Sequence, residues 1–293
     1  MSTVYADLAK RLPSWLYKLG AQLYIDKAYP RHLFVETTAS CNLSCSYCPR
    51  EKTRQDMDYR LFREIVDEAS RYGARSFSLH LFGEPLLYPH IFEACAYIKR
   101  RNKRHTVLLT TNGTKVNDCI DDLVSCGINQ VLWTWRKEAR FTGATLLKLK
   151  KWGKFRVRFI KEITPPEAYE EWKTWGNVEG RKLHNYGGEI DTGRWDGLQE
   201  KSYWKDYSNS QKTSIRYPCY HLWLAPAVAW NGNILLCCSD PHQKEVLGKF
   251  PEQSVAEVWK GSQLESIRKS HLEGRYEGIC KDCDVWKSYP SLF

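Results

Sequence analysis

The stretch that decides the fold is Cys41-Asn42-Leu43-Ser44-Cys45-Ser46-Tyr47-Cys48, in which three cysteines follow the spacing C-x3-C-x2-C. Three thiolates this close together can bind three irons of a cubane iron-sulfur cluster and leave the fourth iron open to a small molecule. The alternatives are a zinc knuckle and core thiols that bind no metal. Zinc sites normally show two C-x2-C pairs or a histidine at a set spacing, so this spacing favours the cluster.

The motif resembles that of the radical S-adenosylmethionine (radical SAM) superfamily, C-x3-C-x-aromatic-C, with Tyr47 at the aromatic position. The resemblance implies that Cys41, Cys45 and Cys48 bind a 4Fe-4S cluster, and that Tyr47 contacts the cofactor. It further implies that the amino and carboxylate groups of S-adenosylmethionine chelate the open iron. An electron from the cluster then cleaves the sulfonium and yields a 5'-deoxyadenosyl radical.

Length and composition agree with a barrel-sized domain and a small second domain. The chain has 293 residues, 42% of them hydrophobic, and no apolar run approaches the length that spans a bilayer. Residues 1–30 are expected to form an amphipathic segment, helical from Leu8 to Tyr24, that packs on the barrel; binding to a membrane surface is the alternative. Eleven cysteines without a secretion signal indicate the reducing cytoplasm and metal ligation.

Strands alternate with helices along the chain in the order of a parallel α/β sheet. Strands are predicted at 33–38, 76–81, 106–110, 128–134, 155–160 and 181–186, and helices at 59–72, 91–100, 118–126 and 145–151. We therefore expect a partial (β/α)6 radical SAM barrel over residues 31–200. Its functional loops lie at the carboxyl ends of the strands, where the cysteine loop follows the first strand.

Further segments resemble family motifs that contact S-adenosylmethionine. Phe82-Gly83-Glu84-Pro85 resembles a Gly-Gly-Glu-Pro segment whose backbone and carboxylate receive the cofactor ammonium, with Phe82 in place of the first glycine. Thr111-Asn112-Gly113 matches a common Thr-Asn-Gly turn of the family. The resemblance implies cofactor contacts for Gly83, Glu84, Asn112, Thr134 (ribose) and Arg158 (carboxylate). Ordinary surface turns are the alternative for the first two segments.

The last third of the chain holds a second group of cysteines. It resembles the twitch domain, a shortened SPASM domain in which four cysteines bind one auxiliary 4Fe-4S cluster. The resemblance implies a domain over residues 201–293 with the ligands Cys219, Cys237, Cys280 and Cys283. Cys238 could replace Cys237, but adjacent residues of a strand point to opposite faces, so only one should serve. A structural zinc site with the same thiolates is the alternative.

Polar residues near strand ends are candidate catalytic residues. They are His80, His184 and Glu189. His80 fits a satisfied barrel histidine as well as a catalytic role. Two glycines between His184 and Glu189 let the backbone approach a ligand, although a loop before the second domain also needs glycines.

The formal net charge of +10 is unevenly distributed. Residues 136–161 contain ten Lys or Arg and one acid, with aromatic residues interleaved. This concentration favours an anionic partner, either nucleic acid or a phosphorylated small molecule. An ordinary solvated helix face is the alternative.

Taken together, these features predict a radical SAM enzyme, an oxidoreductase or isomerase, that abstracts a hydrogen atom from an anionic substrate such as a modified nucleobase. The resemblance implies two 4Fe-4S clusters, S-adenosylmethionine and an electron donor of the flavodoxin or ferredoxin type. Alternatives are a twitch-type dehydrogenase of a sugar or aminocyclitol and a peptide-modifying enzyme. A metal-stabilised nucleic-acid-binding module is the non-enzymatic alternative. The distinguishing feature is the open fourth iron that three cysteines imply, because a purely structural metal site is normally closed.

Overall fold

A single nine-stranded sheet organises the computed structural model, which describes residues 26–175, 177–192, 216 and 218–287. The strand order is β6-β5-β4-β3-β2-β1-β7-β8-β9. The first six strands run parallel to their neighbours: His32–Val35 (β1), Ser76–Ser78 (β2), Thr106–Thr111 (β3), Gln130–Thr134 (β4), Phe155–Ile160 (β5) and Val178–Arg181 (β6). The predicted α/β fold with a partial barrel is confirmed.

Helices alternate with these strands. They are Tyr59–Ser70 (α1), Ile91–Arg101 (α2), Val116–Ser125 (α3), Gly143–Trp152 (α4) and Pro166–Trp172 (α5). The start of α1 shows how the sequence specifies a helix, because the Asp58 carboxylate accepts hydrogen bonds from the backbone N-H groups of Arg60 and Leu61. Phe62 and Ile65, on the apolar face of the same helix, are fully buried in the core.

The two faces of β5 show why the barrel interior is polar. Phe155, Val157 and Phe159 are buried in the core, whereas Arg156 and Arg158 alternate with them and line the interior cavity. A strand directs successive side chains to opposite faces, so one strand serves both the core and the cavity. Arg156 and Arg158 therefore share the face of β5 that lines the cavity.

A smaller part of the chain continues the sheet beyond β1. Its strands are Ala227–Val228 (β7, parallel to β1), Asn233–Leu235 (β8) and Val246–Lys249 (β9), and its helices are His221–Leu224 (α6), Val255–Lys260 (α7) and Ser262–Leu272 (α8). The buried Glu68 carboxylate of α1 accepts hydrogen bonds from the N-H groups of Val255 and Ala256, at 3.1 and 2.9 Å. This contact attaches the start of α7 to the barrel.

The second strand ends at Ser78, earlier than predicted, because the following chain turns toward the cysteine loop. The backbone N-H of Glu84 donates to the carbonyl of Ser40 at 2.7 Å. A Cβ atom on Gly83 would lie 2.0 Å from the carbonyl oxygen of Thr38, so only glycine permits this approach.

The sixth strand occupies 178–181 and not the predicted 181–186. Tyr186, Gly187 and Gly188 all have positive φ angles, so the chain forms a turn where a strand was expected. The predicted N-terminal helix and the predicted boundary at residue 200 lie outside the described residues. Among the described residues, no helix is long and apolar enough to cross a membrane.

Candidate active site

One large cavity of about 470 Å³ lies inside the partial barrel. All three cysteines of the first motif line it, as do the six predicted cofactor contacts Tyr47, Gly83, Glu84, Asn112, Thr134 and Arg158. These residues come from the loops after β1, β2 and β3 and from strands β4 and β5. The fold therefore brings together motifs that are separated by more than one hundred residues in the sequence.

Hydrogen bonds connect the cysteine loop to both turns of the cavity wall. The Glu84 carboxylate accepts from the Thr111 hydroxyl at 2.7 Å and from the Asn112 backbone N-H at 2.6 Å. The Asn112 side-chain amide donates to the Asn42 amide oxygen at 2.9 Å and contacts the Cys41 Sγ at 3.8 Å. Three motifs recognised separately in the sequence thus form one bonded unit.

The cysteine loop itself is held by an arginine. The Arg50 guanidinium donates to the carbonyls of Cys41 and Leu43, at 3.3 and 3.0 Å. The backbone N-H of Cys48 donates to the carbonyl of Cys45 at 3.1 Å and closes a tight turn. The loop therefore presents three thiols to the cavity from a fixed backbone, and this donor set fits a cluster with one open iron.

Arg136 is a cavity residue that the sequence did not identify as a cofactor contact. Its guanidinium carbon lies 5.2 Å from the Tyr47 ring centroid, and its Nε is buried without a hydrogen-bond partner. By contrast, the Nε of Arg158 already donates to the Glu179 carboxylate at 2.5 Å. A buried guanidinium nitrogen without a partner fits an anionic group, such as the carboxylate of S-adenosylmethionine.

Glu36, at the end of β1, is a second buried carboxylate close to the cavity. Its two oxygens accept long hydrogen bonds from the N-H groups of Phe82 and Trp230, both 3.4 Å. Burial raises the pKa of Glu36 to about 7, despite these bonds. The folded protein therefore keeps a proton that the unfolded chain releases at lower pH.

Replacing Glu36 by glutamine should make the free energy of unfolding depend less on pH. Folding takes up a proton on Glu36 between pH 4.5 and about 7, so the free energy of unfolding falls as pH rises through this window. We expect Glu36→Gln to reduce this fall and to be more stable than the parent at pH 8, by about 1–3 kcal/mol. Anaerobic urea unfolding at pH 5 and pH 8 measures the free energy of unfolding of the parent and the variant. Glu252→Gln is the control, because Glu252 is exposed. The same pH slope in Glu36→Gln and parent would contradict the prediction.

The second cysteine group lines a separate, small pocket. Cys219, Cys237, Cys280 and Cys283 all contribute to its wall. Cys238 lines the large cavity instead, with its Sγ 3.8 Å from His221 Nε2. His221, Ser239 and Val285 line both spaces, so the small pocket and the large cavity share a wall.

The small pocket contains buried nitrogen atoms that lack hydrogen-bond partners. Arg216 Nε, His221 Nδ1 and His271 Nε2 are buried nitrogens without a hydrogen-bond partner, and all three residues line the pocket. Buried polar groups normally have partners, and the sulfurs of an iron-sulfur cluster accept hydrogen bonds. Four thiols surrounded by such nitrogens therefore fit a 4Fe-4S cluster. In the described part of the chain, no three His, Cys, Asp or Glu side chains are grouped tightly enough to hold a single metal ion.

Two of the three candidate catalytic residues line the large cavity. His80 Nδ1 accepts a hydrogen bond from the Thr110 N-H at 3.2 Å, and burial lowers the pKa of His80 to about 3. Its ring is neutral, with the hydrogen on Nε2. His184 Nδ1 lies 3.4 Å from the Asp284 carboxylate, and its Nε2 is buried without a partner. The two histidines therefore differ, since His80 can donate through Nε2 and His184 can accept.

Glu189, the third candidate, is in a different environment. Its carboxylate forms ion pairs with Lys244 and with His242, the latter at 3.3 Å. It is not among the residues that line the large cavity. The structure therefore separates Glu189 from the two histidines with which the sequence grouped it.

Comparison with known proteins agrees with this geometry. A family model described as "Radical SAM superfamily" matches residues 35–133, and one described as "Iron-sulfur cluster-binding domain" (SPASM) matches residues 219–284. An S-adenosyl-L-methionine-dependent 2-deoxy-scyllo-inosamine dehydrogenase from Niallia circulans is 24% identical over 258 residues, which cover 85% of this chain and 91% of that protein. A GTP 3',8-cyclase from Chlorobaculum tepidum is 32% identical over 100 residues, covering 33% of this chain and 30% of that protein.

Solved structures share the fold. BtrN in complex with AdoMet and 2-DOIA has a TM-score of 0.60 and 22% identity, over 89% of this chain and 97% of that one. SuiB from Streptococcus suis, bound to the precursor peptide SuiA, has a TM-score of 0.61 and 17% identity, over 89% and 71%. The fold and the three-cysteine site define an enzyme that uses S-adenosylmethionine and a 4Fe-4S cluster. Residues 35–133 thus carry a radical SAM domain, and residues 219–284 carry a SPASM-type domain that binds an iron-sulfur cluster.

Proposed function

We propose that this radical SAM enzyme oxidises a small anionic substrate in the large cavity and that the auxiliary cluster accepts an electron from the substrate radical. The observation that supports oxidation is the common wall between the large cavity and the four-cysteine pocket, formed by His221, Ser239 and Val285. A cluster in the small pocket would lie next to a substrate in the cavity, and such proximity suits electron transfer. The dehydrogenase from Niallia circulans supports the same reaction class.

The proposed residue roles follow from the contacts of the cavity. Cys41, Cys45 and Cys48 hold the first cluster, which supplies the radical chemistry when S-adenosylmethionine is bound. The cofactor contacts are Tyr47, Gly83, Glu84, Asn112 and Thr134, with Arg136 and Arg158 as the cations near its carboxylate. Cys219, Cys237, Cys280 and Cys283 hold the auxiliary cluster.

The charges on the cavity wall support an anionic substrate. Four arginines line the cavity, Arg136, Arg156, Arg158 and Arg181, against two glutamates, Glu84 and Glu179. Arg158 is paired with Glu179, and the Arg181 guanidinium donates to the Tyr186 hydroxyl at 2.7 Å. The cationic excess favours a carboxylate or phosphate group on the substrate.

A nucleic-acid substrate has less support. Trp133 is buried, and its ring packs against Phe141, Phe155 and Trp172 with centroid distances of 4.7, 6.1 and 4.8 Å. These aromatic rings therefore belong to the core and are not a platform for bases. Lys148 of α4 is paired with Asp121 at 2.6 Å, which reduces the charge of the basic helix face.

We also propose that the enzyme works in the cytoplasm with a separate electron donor. None of the eleven cysteines forms a disulfide bond, which suits a reducing cytoplasm. Radical SAM enzymes need a reductant, and we propose a flavodoxin or ferredoxin type donor.

A substrate screen tests the proposed substrate class. Holoenzyme with S-adenosylmethionine and a reductant is incubated with myo-inositol 1-phosphate, glucuronate or 2-deoxy-scyllo-inosamine, and 5'-deoxyadenosine and oxidised product are measured. We expect the acidic compounds to stimulate 5'-deoxyadenosine formation. Arg156 is exposed to the cavity, so Arg156→Gln should raise KM by about 10- to 100-fold with little change in kcat, and Arg156→Lys should retain most of the affinity. Stimulation by the inosamine but by neither acid would overturn the anionic class.

A further inference from the structure

We propose that His271 donates a hydrogen bond from Nε2 to the auxiliary cluster and thereby raises its reduction potential. His271 is then a positioning residue for electron transfer, because it would act on the cluster and not on the substrate. The inference rests on the proposed function, in which the four-cysteine pocket holds the electron acceptor.

The tautomer of His271 follows from its hydrogen bond. The backbone N-H of Cys219 donates to His271 Nδ1 at 3.4 Å, so this nitrogen presents a lone pair and the hydrogen is on Nε2. His271 Nε2 is buried and has no acceptor among the described residues, and His271 lines the pocket together with all four cysteines. A buried N-H without an acceptor is costly unless a bound group supplies one.

The packing of α8 fixes the position of this imidazole. His271 is 2% exposed and packs edge to face on Tyr276, with the ring centroids 4.8 Å apart. Three residues earlier on the same helix, the Arg268 guanidinium donates to the carbonyls of Leu222 and Trp259, at 2.9 and 3.0 Å. The ring therefore has little freedom to turn away from the pocket.

Arg216 adds a positive charge at the same pocket. Its guanidinium donates to the carbonyls of Cys280 and Lys281 and lies 3.9 Å from the Tyr276 ring centroid. Its Nε is a second buried nitrogen without a partner. Reduction adds a negative charge to a cluster, so donors and cations around it favour the reduced form. The pocket therefore suits a cluster that receives an electron.

Two substitutions at His271 distinguish the hydrogen bond that Nε2 donates from the one that Nδ1 accepts from Cys219. Asparagine at residue 271 places an oxygen near the position of Nδ1, where it can accept from Cys219, but has no donor at the position of Nε2. Glutamine places an amide N-H near the Nε2 position. His105→Asn is the matched control, because His105 is a buried histidine that lines neither pocket.

The test is a redox titration of the reconstituted holoenzyme, followed by electron paramagnetic resonance with and without S-adenosylmethionine. The cofactor alters the signal of the first cluster and so identifies the auxiliary one. We expect His271→Asn to weaken one-electron reduction of the auxiliary cluster at least tenfold, a negative shift of about 59 mV, at unchanged iron content. His271→Gln should remain close to the parent, and so should His105→Asn.

An unchanged auxiliary potential in His271→Asn, or equal shifts in the Asn and Gln variants, would overturn the inference. Loss of auxiliary iron from His271→Asn would also overturn the inference, because His271 would then be needed to keep the cluster bound and not to raise its reduction potential. Formation of 5'-deoxyadenosine by the parent enzyme is measured in the same samples. Its absence would remove the proposed function, whereas a shifted potential would still support the role of His271.

Discussion

Replacing Cys45 by alanine should abolish 5'-deoxyadenosine formation and lower the iron content from about eight to about four per chain. Cys45 lies in the middle of the three-cysteine loop, and its thiol lines the large cavity with those of Cys41 and Cys48. Two thiolates cannot fix a cubane cluster with one open iron, so S-adenosylmethionine loses its site. The four cysteines of the small pocket are unchanged in this variant, so the four irons of the auxiliary cluster should stay bound.

The control for this experiment is Cys119→Ala. Cys119 is half-buried, lines neither pocket, and its thiol donates to the Lys115 carbonyl at 3.2 Å. This variant should keep all of its iron and its 5'-deoxyadenosine formation. Cleavage of S-adenosylmethionine by Cys45→Ala would show that the first motif does not hold the catalytic cluster.

Replacing Glu84 by alanine should weaken the binding of S-adenosylmethionine by about 100-fold. The Glu84 carboxylate is the common acceptor of the Thr111 hydroxyl and of the Asn112 and Leu86 N-H groups, and it is 2% exposed. Its removal leaves these buried donors without an acceptor and loosens the turn at Thr111 and Asn112, which would then be tied to the cysteine loop through Asn42. The hydrogen bond proposed between this buried carboxylate and the cofactor ammonium is charge-assisted and contributes about 2–3 kcal/mol to binding, and 1.4 kcal/mol corresponds to tenfold in affinity.

Cofactor affinity is read from the change in the electron paramagnetic resonance signal of the first cluster as S-adenosylmethionine is added. Glu189→Ala is the control, because Glu189 pairs with Lys244 and His242 outside the cavity lining. Glu84→Ala should also keep about eight irons, since it removes no thiol. Equal affinities in Glu84→Ala and Glu189→Ala would contradict the proposed role of Glu84 in cofactor binding.

The sequence predicted the features that depend on local pattern. The alternation of apolar residues in Phe155–Ile160 specified β5 to the residue, and the same alternation separated Arg156 and Arg158 from the core. The helix predicted at 145–151 is α4, which Thr142 caps by accepting from the N-H of Thr145. Such signals reside in neighbouring residues and need no tertiary information.

Features that depend on tertiary contacts were missed. The early end of β2 results from the approach of Gly83 to Thr38, which are 45 residues apart, and no local pattern encodes it. The role inferred for His271 depends on a hydrogen bond from Cys219, 52 residues away. The sequence identified Arg136 only as one of the basic residues at 136–161, although its charge beside Tyr47 distinguishes it in the structure.

We propose that the three-cysteine motif and the small pocket each hold one cluster and that the cluster of the three-cysteine motif cleaves S-adenosylmethionine. Anaerobic reconstitution with iron and sulfide, followed by iron counting and by assay of 5'-deoxyadenosine after reduction with the cofactor present, tests it most directly. We predict about eight irons per chain and formation of 5'-deoxyadenosine. Tightly bound zinc, no reconstituted iron and no 5'-deoxyadenosine would contradict the claim.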